Sequence, residues 1–508
     1  MKAIYNTCVS DPFLKVAIQL CEKYNIEPIY WIGYHNDASE QDVQITFPDI
    51  IYHRYYDAWT GILPEKTRHF ADETPEDIDF INSHCFEEIN ALSIMDRMDP
   101  DRFSFPFAER QMLYRKYIRY WTGFIKSKKP DVLISAIYPH RIYDYPLYAL
   151  CRHFGIKIIS FYPVSIPSRI IPINSIDNFG TKIKEKYREL ISSPNADLSL
   201  SKDIEGYFQK LRGAYDTASP YYIKINANRD KQTSNVFKAA WVFLKNPKFY
   251  NEKNTKILFH GIELLFKQKN KDVEDSKRYP FIAYMRILLK KRLMQKRLRK
   301  FYDSIAQKPD LTQKYIYFAM HYQPEASTTP IGGVFTEQLM AIRQLSAAIP
   351  DNWKIYVKEN FYQFVNYSHG HLGRIKKHYT DALSIPKVVL VPTSIPSFEL
   401  ADNAMAVSTI TGTVGIESVV RGKPVIVFGL TWVEDFDGVL KITSNKDAER
   451  IMPFIQSFVH DEHKVNCYIK AFDMASVYAY HYPGKKLRFN MDEELCVKNL
   501  IESIAMQV

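Results

Sequence analysis

Apolar and polar positions alternate along the first third of the chain in a way that spells strands and helices by turns. "KAIYNTCV" has strand period, "PFLKVAIQLCEKYN" places its apolar residues at helical spacing, and "EPIYWIGY" is a second strand. Helical spacing returns around 78–96 and in "ERQMLYRKYIRYWTGFIKSKK", followed by "PDVLISAIY", an apolar run suited to a strand buried on both faces. "YDYPLYALCRHFG" reads as a helix stopped by Gly155, and "IKIISFYPV" as the next strand. From about 180 to 305 the pattern is helical, polar and basic, with "SSPNADLSLSKD" a loop. A second alternation opens with "KYIYFAM" at 314–320. It runs through a helix over 334–348, strands "WKIYVK" and "KVVLVP", a short helix near 396–401, strand "NAMAVS", a helix over 413–421 and strand "PVIVFG". The segment after 446 is mostly helical. Strand–helix alternation, twice over, predicts an α/β chain of two Rossmann-like domains. The expected boundaries are an N-terminal domain at 1–225, a helical basic connector at 226–312, a second domain at 313–470 and a C-terminal helical tail at 471–508.

Composition narrows the class. A chain of 508 residues exceeds what one core usually organises, which agrees with two domains. Cys8, Cys21, Cys85, Cys151, Cys467 and Cys496 are scattered without a C-x-x-C pair, so neither a zinc site nor a disulfide framework is expected and a reducing cytoplasm fits. The start lacks the apolar core of a signal peptide, and no window approaches the length of a spanning helix, which predicts a cytoplasmic protein. The net charge of +10 is uneven: "RILLKKRLMQKRLRK" at 286–300 holds eight basic residues and no acidic one. On a helix, Ile287, Met294, Leu298 and Phe301 share a face while Lys290, Arg297 and Lys300 lie off it or at its margins. Such a helix either packs by its apolar stripe or rests on an anionic membrane surface. No nucleic-acid-binding signature accompanies it.

Candidate chemistry concentrates in the second alternation. Nine of the 18 glycines fall between 332 and 438, and glycine serves where backbone must take positive φ or approach a ligand closely. In "STITGTVGIESVVRGKPVIVFG" (408–429) an apolar strand leads through a T-G-T-x-G turn into a helix. Thr411, Gly412 and Thr413 then sit at a helix N-terminus, where backbone N–H groups attract an anion, unless the turn is an ordinary N-cap. Gly415 would permit close approach, and Glu417 would reach a ribose hydroxyl. The spacing is neither that of a Walker A loop nor G-x-G-x-x-G, which disfavours a nicotinamide cofactor. Lys358 and Glu359, in "YVKENF", end a strand at the edge where open α/β sheets bind ligands. There Lys358 would neutralise a phosphate or form a surface ion pair.

Together, "HYQPEASTTPIGG" (321–333), "YVKENF", the 408–429 segment and "KPDVLISAIYPHRIYDYPLYALCRHFGIKIISF" resemble the bacterial surface-polysaccharide glycosyltransferases of GT-B type, the capsule and O-antigen enzymes that include capsular Kdo transferases. The resemblance covers 1–170 and 314–440. It implies two domains facing one cleft, a nucleotide-sugar donor, a glycan or lipid-linked glycan acceptor, and a place in the cytoplasm or at the inner face of the cytoplasmic membrane. It also implies that Ser408, Thr411, Gly412, Thr413 and Glu417 face the donor. His321, Gln323, Glu325 and Thr328 would look across the cleft, with Gln323, Glu325 and Thr328 bonding sugar hydroxyls and Gly332–Gly333 starting a helix close to the donor. The pattern expected after the strand is K-E-H-P, whereas this chain has Lys358-Glu359-Asn360-Phe361, a departure that bears against a CMP-linked donor. Transfer to a hydroxyl needs a general base or a carboxylate nucleophile. Asp144 and His140, just beyond a strand end, are the first-domain candidates, with Asp144 equally suited to cap the next helix; Glu325 is their rival. No cofactor or metal is expected, since amides and Lys358 would stabilise the leaving phosphate, and "DPD" at 99–101 suits a turn. A polyol-phosphate transferase, a sugar-nucleotide epimerase or an inactive glycan-binding subunit are the alternatives.

Overall fold

The computed structural model describes residues 1–8, 12–34, 37–166, 168–177, 179–193, 195–213, 281–365, 368–481, 486–487 and 489–508. The part of the connector expected at 226–280 lies outside the described residues.

Thirteen strands among the described residues form two sheets, numbered in chain order: β1 Lys2–Asn6, β2 Glu27–Gly33, β3 Ile51–Arg54, β4 Val132–Ser135, β5 Lys157–Pro163, β6 Arg169–Ile173, β7 Tyr315–Ala319, β8 Lys354–Lys358, β9 Val388–Val391, β10 Ala406–Thr409, β11 Val425–Val427, β12 Val439–Lys441 and β13 Val477–Tyr478. The first sheet has the order β13-β6-β5-β4-β1-β2-β3, with β1 to β5 parallel and β6 antiparallel to both β5 and β13. The second is parallel throughout, in the order β12-β11-β10-β7-β8-β9. Both are doubly wound. Uninterrupted apolar runs such as Val132–Ser135 are buried along their whole length, as strands covered on both faces require.

Winding direction reverses between β1 and β4 in the first sheet and between β7 and β10 in the second. The carboxyl ends at such a reversal open a crevice where α/β folds bind ligands. The loops after β4, β7 and β10 therefore carry the weight of any site.

Among the described residues, most aromatic side chains go to the cores. Tyr30 lies edge-to-face with Tyr120, Trp121 and Phe124, and its hydroxyl is 2.7 Å from His53 Nδ1 and 2.9 Å from the Tyr120 hydroxyl, so even the polar tips are satisfied within the chain.

The chain then returns to the first domain. Helix Glu462–Ala475 packs on helix Thr181–Ile191, with the Tyr468 ring against Tyr187. Strand β13 extends the first sheet, and helix Glu493–Ala505 packs on Phe13–Tyr24. The stretch read as a helical tail is thus built into the first domain. Further contacts join the domains: the Arg102 guanidinium donates to the carbonyls of His371 and Leu372, both at 2.8 Å, and Arg421 donates to the carbonyls of Leu211 and Gly213 at 2.9 and 3.0 Å.

Helix Phe281–Ile305 packs on the second domain along a face turned partway from the one its apolar spacing predicts: Leu298 is buried and Phe301 packs on the core as expected, while Ile287 and Met294 are half-buried. The buried residues are Lys291, Gln295, Leu298 and Tyr302. Gln295 Nε2 donates to the carbonyls of Val365 and Ser368, and the Tyr302 hydroxyl to Val391 O at 2.6 Å. Among the described residues, no helix is long and apolar enough to cross a membrane.

Candidate active site

Which groups remain for a ligand depends on what each polar atom already touches, because buried polar groups are nearly always paired. The loop after β7 begins with His321, whose ring is buried. Its Nε2 accepts the Thr411 amide at 3.1 Å and lies 3.1 Å from Thr409 Oγ1. The amide donor makes Nε2 the acceptor and puts the ring proton on Nδ1. Burial, helped by the Arg374 charge, lowers the His321 pKa to about 4, so the ring is neutral. The Thr411 hydroxyl donates to Ser327 O at 2.5 Å and the Gly412 amide to Thr409 Oγ1 at 3.2 Å. A Cβ on Gly412 would stand 2.7 Å from Thr409 Oγ1, so this glycine is required by an approach within the chain. His321 thus stitches the loop after β7 to the turn after β10 across the sheet reversal. The Thr411 and Gly412 amides expected to await an anion are used internally.

Several other expected donor contacts are committed in the same way. Ser408 is fully buried and donates to Ile426 O at 3.1 Å; Thr328 is fully buried and donates to Glu325 O at 3.1 Å. Gln323 gives its amide hydrogens to Thr336 O at 2.5 Å and its amide oxygen to Arg374. The Glu359 carboxylate is fully buried against Arg374 Nε at 3.0 Å, the Tyr379 hydroxyl at 2.9 Å and the Asn360 amide at 2.8 Å. Asn360 in turn caps the next turn by accepting the Tyr362 amide at 3.0 Å. Gly415 faces Val433 and Val425 at ordinary packing distance, so helix packing accounts for it. These placements remove Ser408, Thr328, Glu359 and Gly415 from the groups free to meet a donor, while Gln323 stays half-buried between its two partners.

Glu417 is buried and accepts from the Thr413 hydroxyl at 2.9 Å; burial raises its pKa to about 7 against the opposing pull of Thr413 and Arg421. Lys358 is half-buried and donates to Ser397 Oγ at 3.0 Å and to Ile395 O, with burial lowering its pKa to about 8. Strand β7 separates it from the turn after β10. Gly412 and Thr413 stay partly exposed at the head of helix Val414–Val420.

Across the cleft, the loop after β4 holds His140 and Asp144. Asp144 Oδ1 accepts the amides of His140 and Arg141 at 3.0 and 2.6 Å, both upstream of helix Asp144–His153, so it pins the preceding turn and does not cap the helix. Its carboxyl is fully buried and its pKa is raised to about 7 by that burial, with Arg141 and Arg97 opposing. His140 donates from Nδ1 to Tyr138 O at 2.7 Å and accepts Arg141 Nε on Nε2 at 3.1 Å. Burial, then the Arg97 charge, lowers its pKa to about 3. A ring with its lone pair engaged and so little basicity is a poor general base.

Glu325 differs from both. Its side chain is exposed, although protein crowds it from both domains. That crowding is the largest cause of a raised pKa, opposed by a 2.6 Å hydrogen bond from Ser327 Oγ and by Arg97. The accessible surface decides what the carboxylate can reach: it can still meet a ligand. Its charge is felt by Tyr138 and Tyr162 of the first domain. Arg97, which the sequence reading passed over, acts on Glu325, Asp144, Tyr138 and His140 together. It sits in the 3₁₀ turn Met95–Met98, 5.8 Å from the Trp59 ring centre, and donates to His140 O.

A cavity of about 490 Å³ opens between the two domains, lined by none of Glu325, Arg97, His140 and Asp144. Its walls include Tyr145, Tyr148 and Arg152 of the first domain and Gly332, Phe428 and Lys441 of the second. A Cβ on Gly332 would come within 2.5 Å of Thr328 O, so the glycine allows the loop after β7 to fold back beside the cavity.

Two Rossmann-like domains that face a cleft through their sheet reversals have GT-B architecture. Residues 332–450, about a quarter of the chain, match the family of capsule polysaccharide biosynthesis proteins. Among solved structures, the β-Kdo 2,4 transferase of KpsC from Thermosulfurimonas dismutans is 15% identical with a TM-score of 0.24, covering 38% of this chain and 57% of its own. The β-Kdo 2,7 transferase of the same KpsC is 10% identical with a TM-score of 0.28, covering 76% and 89%. UDP-GlcNAc 2-epimerase from Methanocaldococcus jannaschii is 12% identical with a TM-score of 0.25, covering 91% and 94%. The chain therefore spans little more than half of the first of these. No curated protein matches it in sequence. The strand orders of the two sheets define the fold.

Proposed function

We propose that the protein is a glycosyltransferase that moves a sugar from a nucleotide-sugar donor to a growing bacterial surface polysaccharide or its lipid-linked acceptor, working at the cytoplasmic side of the membrane. The observation that carries this reading is Glu325, an exposed carboxylate in the loop after β7 whose charge reaches Tyr138 and Tyr162 of the first domain. In its anionic form it would take the proton of an acceptor hydroxyl, or attack the sugar in a double displacement. Arg97 stands close enough to favour that anion and to draw a negatively charged group into the cleft. Thr413, at the head of helix Val414–Val420, and Lys358, at the next strand end but one, would make up the donor side; both lie within the residues that match the capsule polysaccharide biosynthesis family.

Thermal unfolding in the presence of CMP-, UDP-, GDP- and dTDP-linked sugars tests donor binding. A ligand held at about a hundred times its Kd adds about 2.7 kcal/mol to the folded state, so one nucleotide class should raise the melting temperature by several degrees. Thr413→Ala should weaken that shift. No shift with any of the four would remove the nucleotide-sugar reading.

A further inference from the structure

We propose that the outward face of helix Phe281–Ile305 docks on an anionic lipid bilayer. Its inner face is clamped to the second domain by Gln295 and Tyr302. The opposite face carries Arg286, Leu289, Lys290, Leu293, Lys296, Arg297 and Lys300, all exposed and repeating at three- and four-residue steps, which aligns them on one stripe. Leu289 and Leu293 are 49% and 54% exposed in the middle of that stripe, with cations on either side. A third apolar group comes from the other domain. Phe103 is 75% exposed, and Lys290 Nζ lies 4.9 Å from its ring centre.

The mixture selects the partner. Cations attract an anionic surface, and apolar side chains among them insert into the headgroup region, the arrangement of helices that lie in a membrane interface. Leucines at the centre of the stripe would add nothing to a phosphate-backbone contact, and two copies of so cationic a face repel each other. The nearest acidic groups are few: Asp303 lies 3.8 Å from Arg299, and Asp101 senses Lys290. The face also has a sensible position. The same helix turns Lys291 inward, where its charge acts on His369, a residue that also feels Arg97 of the cleft. Phe103, next to the Arg102 that donates to the carbonyls of His371 and Leu372, brings the junction of the two domains up to this face. The inference concerns where the chain rests and does not depend on what the cleft transfers.

Co-sedimentation of the full chain with vesicles tests it, comparing phosphatidylcholine alone with phosphatidylcholine containing phosphatidylglycerol. Binding should require the anionic lipid and weaken with salt. Lys290→Glu/Arg297→Glu/Lys300→Glu should lower the partition coefficient at least about a hundredfold, since each cation near such a surface contributes about fivefold. Leu289→Ser/Leu293→Ser, which keeps every charge, should lower it about tenfold or more. Lys23→Glu/Lys66→Glu/Lys128→Glu, exposed positions on the first domain, should change it far less. Equal binding to neutral vesicles, unchanged binding in both helix variants, or an equal loss in the first-domain variant would overturn the proposal. So would helix variants that lose a dimer, or RNA binding, while vesicle binding stays intact.

Discussion

The buried pair Glu359–Arg374 offers the sharpest test of how the cleft wall is held. Its two side chains are 0% and 1% exposed, and the carboxylate accepts three hydrogen bonds, from Arg374, Tyr379 and the Asn360 amide. Arg374 also donates to His321 O at 3.1 Å and to Gln323, so it ties the β8 end to the loop that presents Glu325. Arg374→Ala would strand the Glu359 charge with two neutral donors, a change that costs about 3–5 kcal/mol for a buried pair. For a folding unit of domain size, about 2–4 °C per kcal/mol follows, so the melting temperature should fall by roughly 10 °C. Glu359→Leu combined with Arg374→Met removes both charges and fills the space. The double variant should recover most of the loss, a coupling that thermal or urea unfolding of all four proteins would measure. A fall under about 2 °C for Arg374→Ala, or additive losses in the double variant, would refute the assignment of this pair as the clamp.

Two other consequences can be measured directly. Arg97 holds down the Glu325 pKa, so Arg97→Met should move the acid limb of the kcat/KM profile to higher pH, and Arg97→Lys, which keeps the charge, should restore it; an unmoved limb in Arg97→Met would show that Arg97 does not act on the ionising group. His321 titrates at about 4 in the folded chain against about 6.5 unfolded, so its contribution to stability is present above pH 6.5 and lost as pH falls toward 4. The loss amounts to about 3 kcal/mol at most, and His321→Gln, which can still accept the Thr411 amide, should flatten the urea midpoint over that range.

Much of the fold was legible because parallel strands covered on both faces read as unbroken apolar runs, and those at β1, β4, β7 and β10 were recognised as strands. The missed strands explain themselves. β3 ends in His53 and Arg54, β6 contains Pro172, and β12 and β13 are three and two residues long. Their strand character comes from neighbours distant in sequence. The same reason limits the reading of the site. Glycine and threonine density pointed to the loops after β7 and β10, but not to the bond from the Thr411 amide to His321, ninety positions away. Polar residues expected to face a sugar proved to be the stitches between loops. In the basic helix, apolar spacing predicted a buried face through Ile287, Met294, Leu298 and Phe301; Leu298 and Phe301 do pack on the core, and Gln295 and Tyr302, which found backbone carbonyls, turn the face partway toward themselves. Arg97 belongs to no motif in the sequence, and its roles come only with folding: it donates to His140 O within the first domain and acts on Glu325 of the second.

The central claim is that Glu325 takes part in sugar transfer across this cleft. It is tested most directly by following label from the stabilising nucleotide sugar into a glycan acceptor, with wild type and Glu325→Gln at matched folding. Acceptor-dependent product is expected from the wild type, with turnover lower by roughly 10²–10⁴-fold in the variant. Equal turnover by the two proteins, or a changed sugar nucleotide formed without any acceptor, would contradict it.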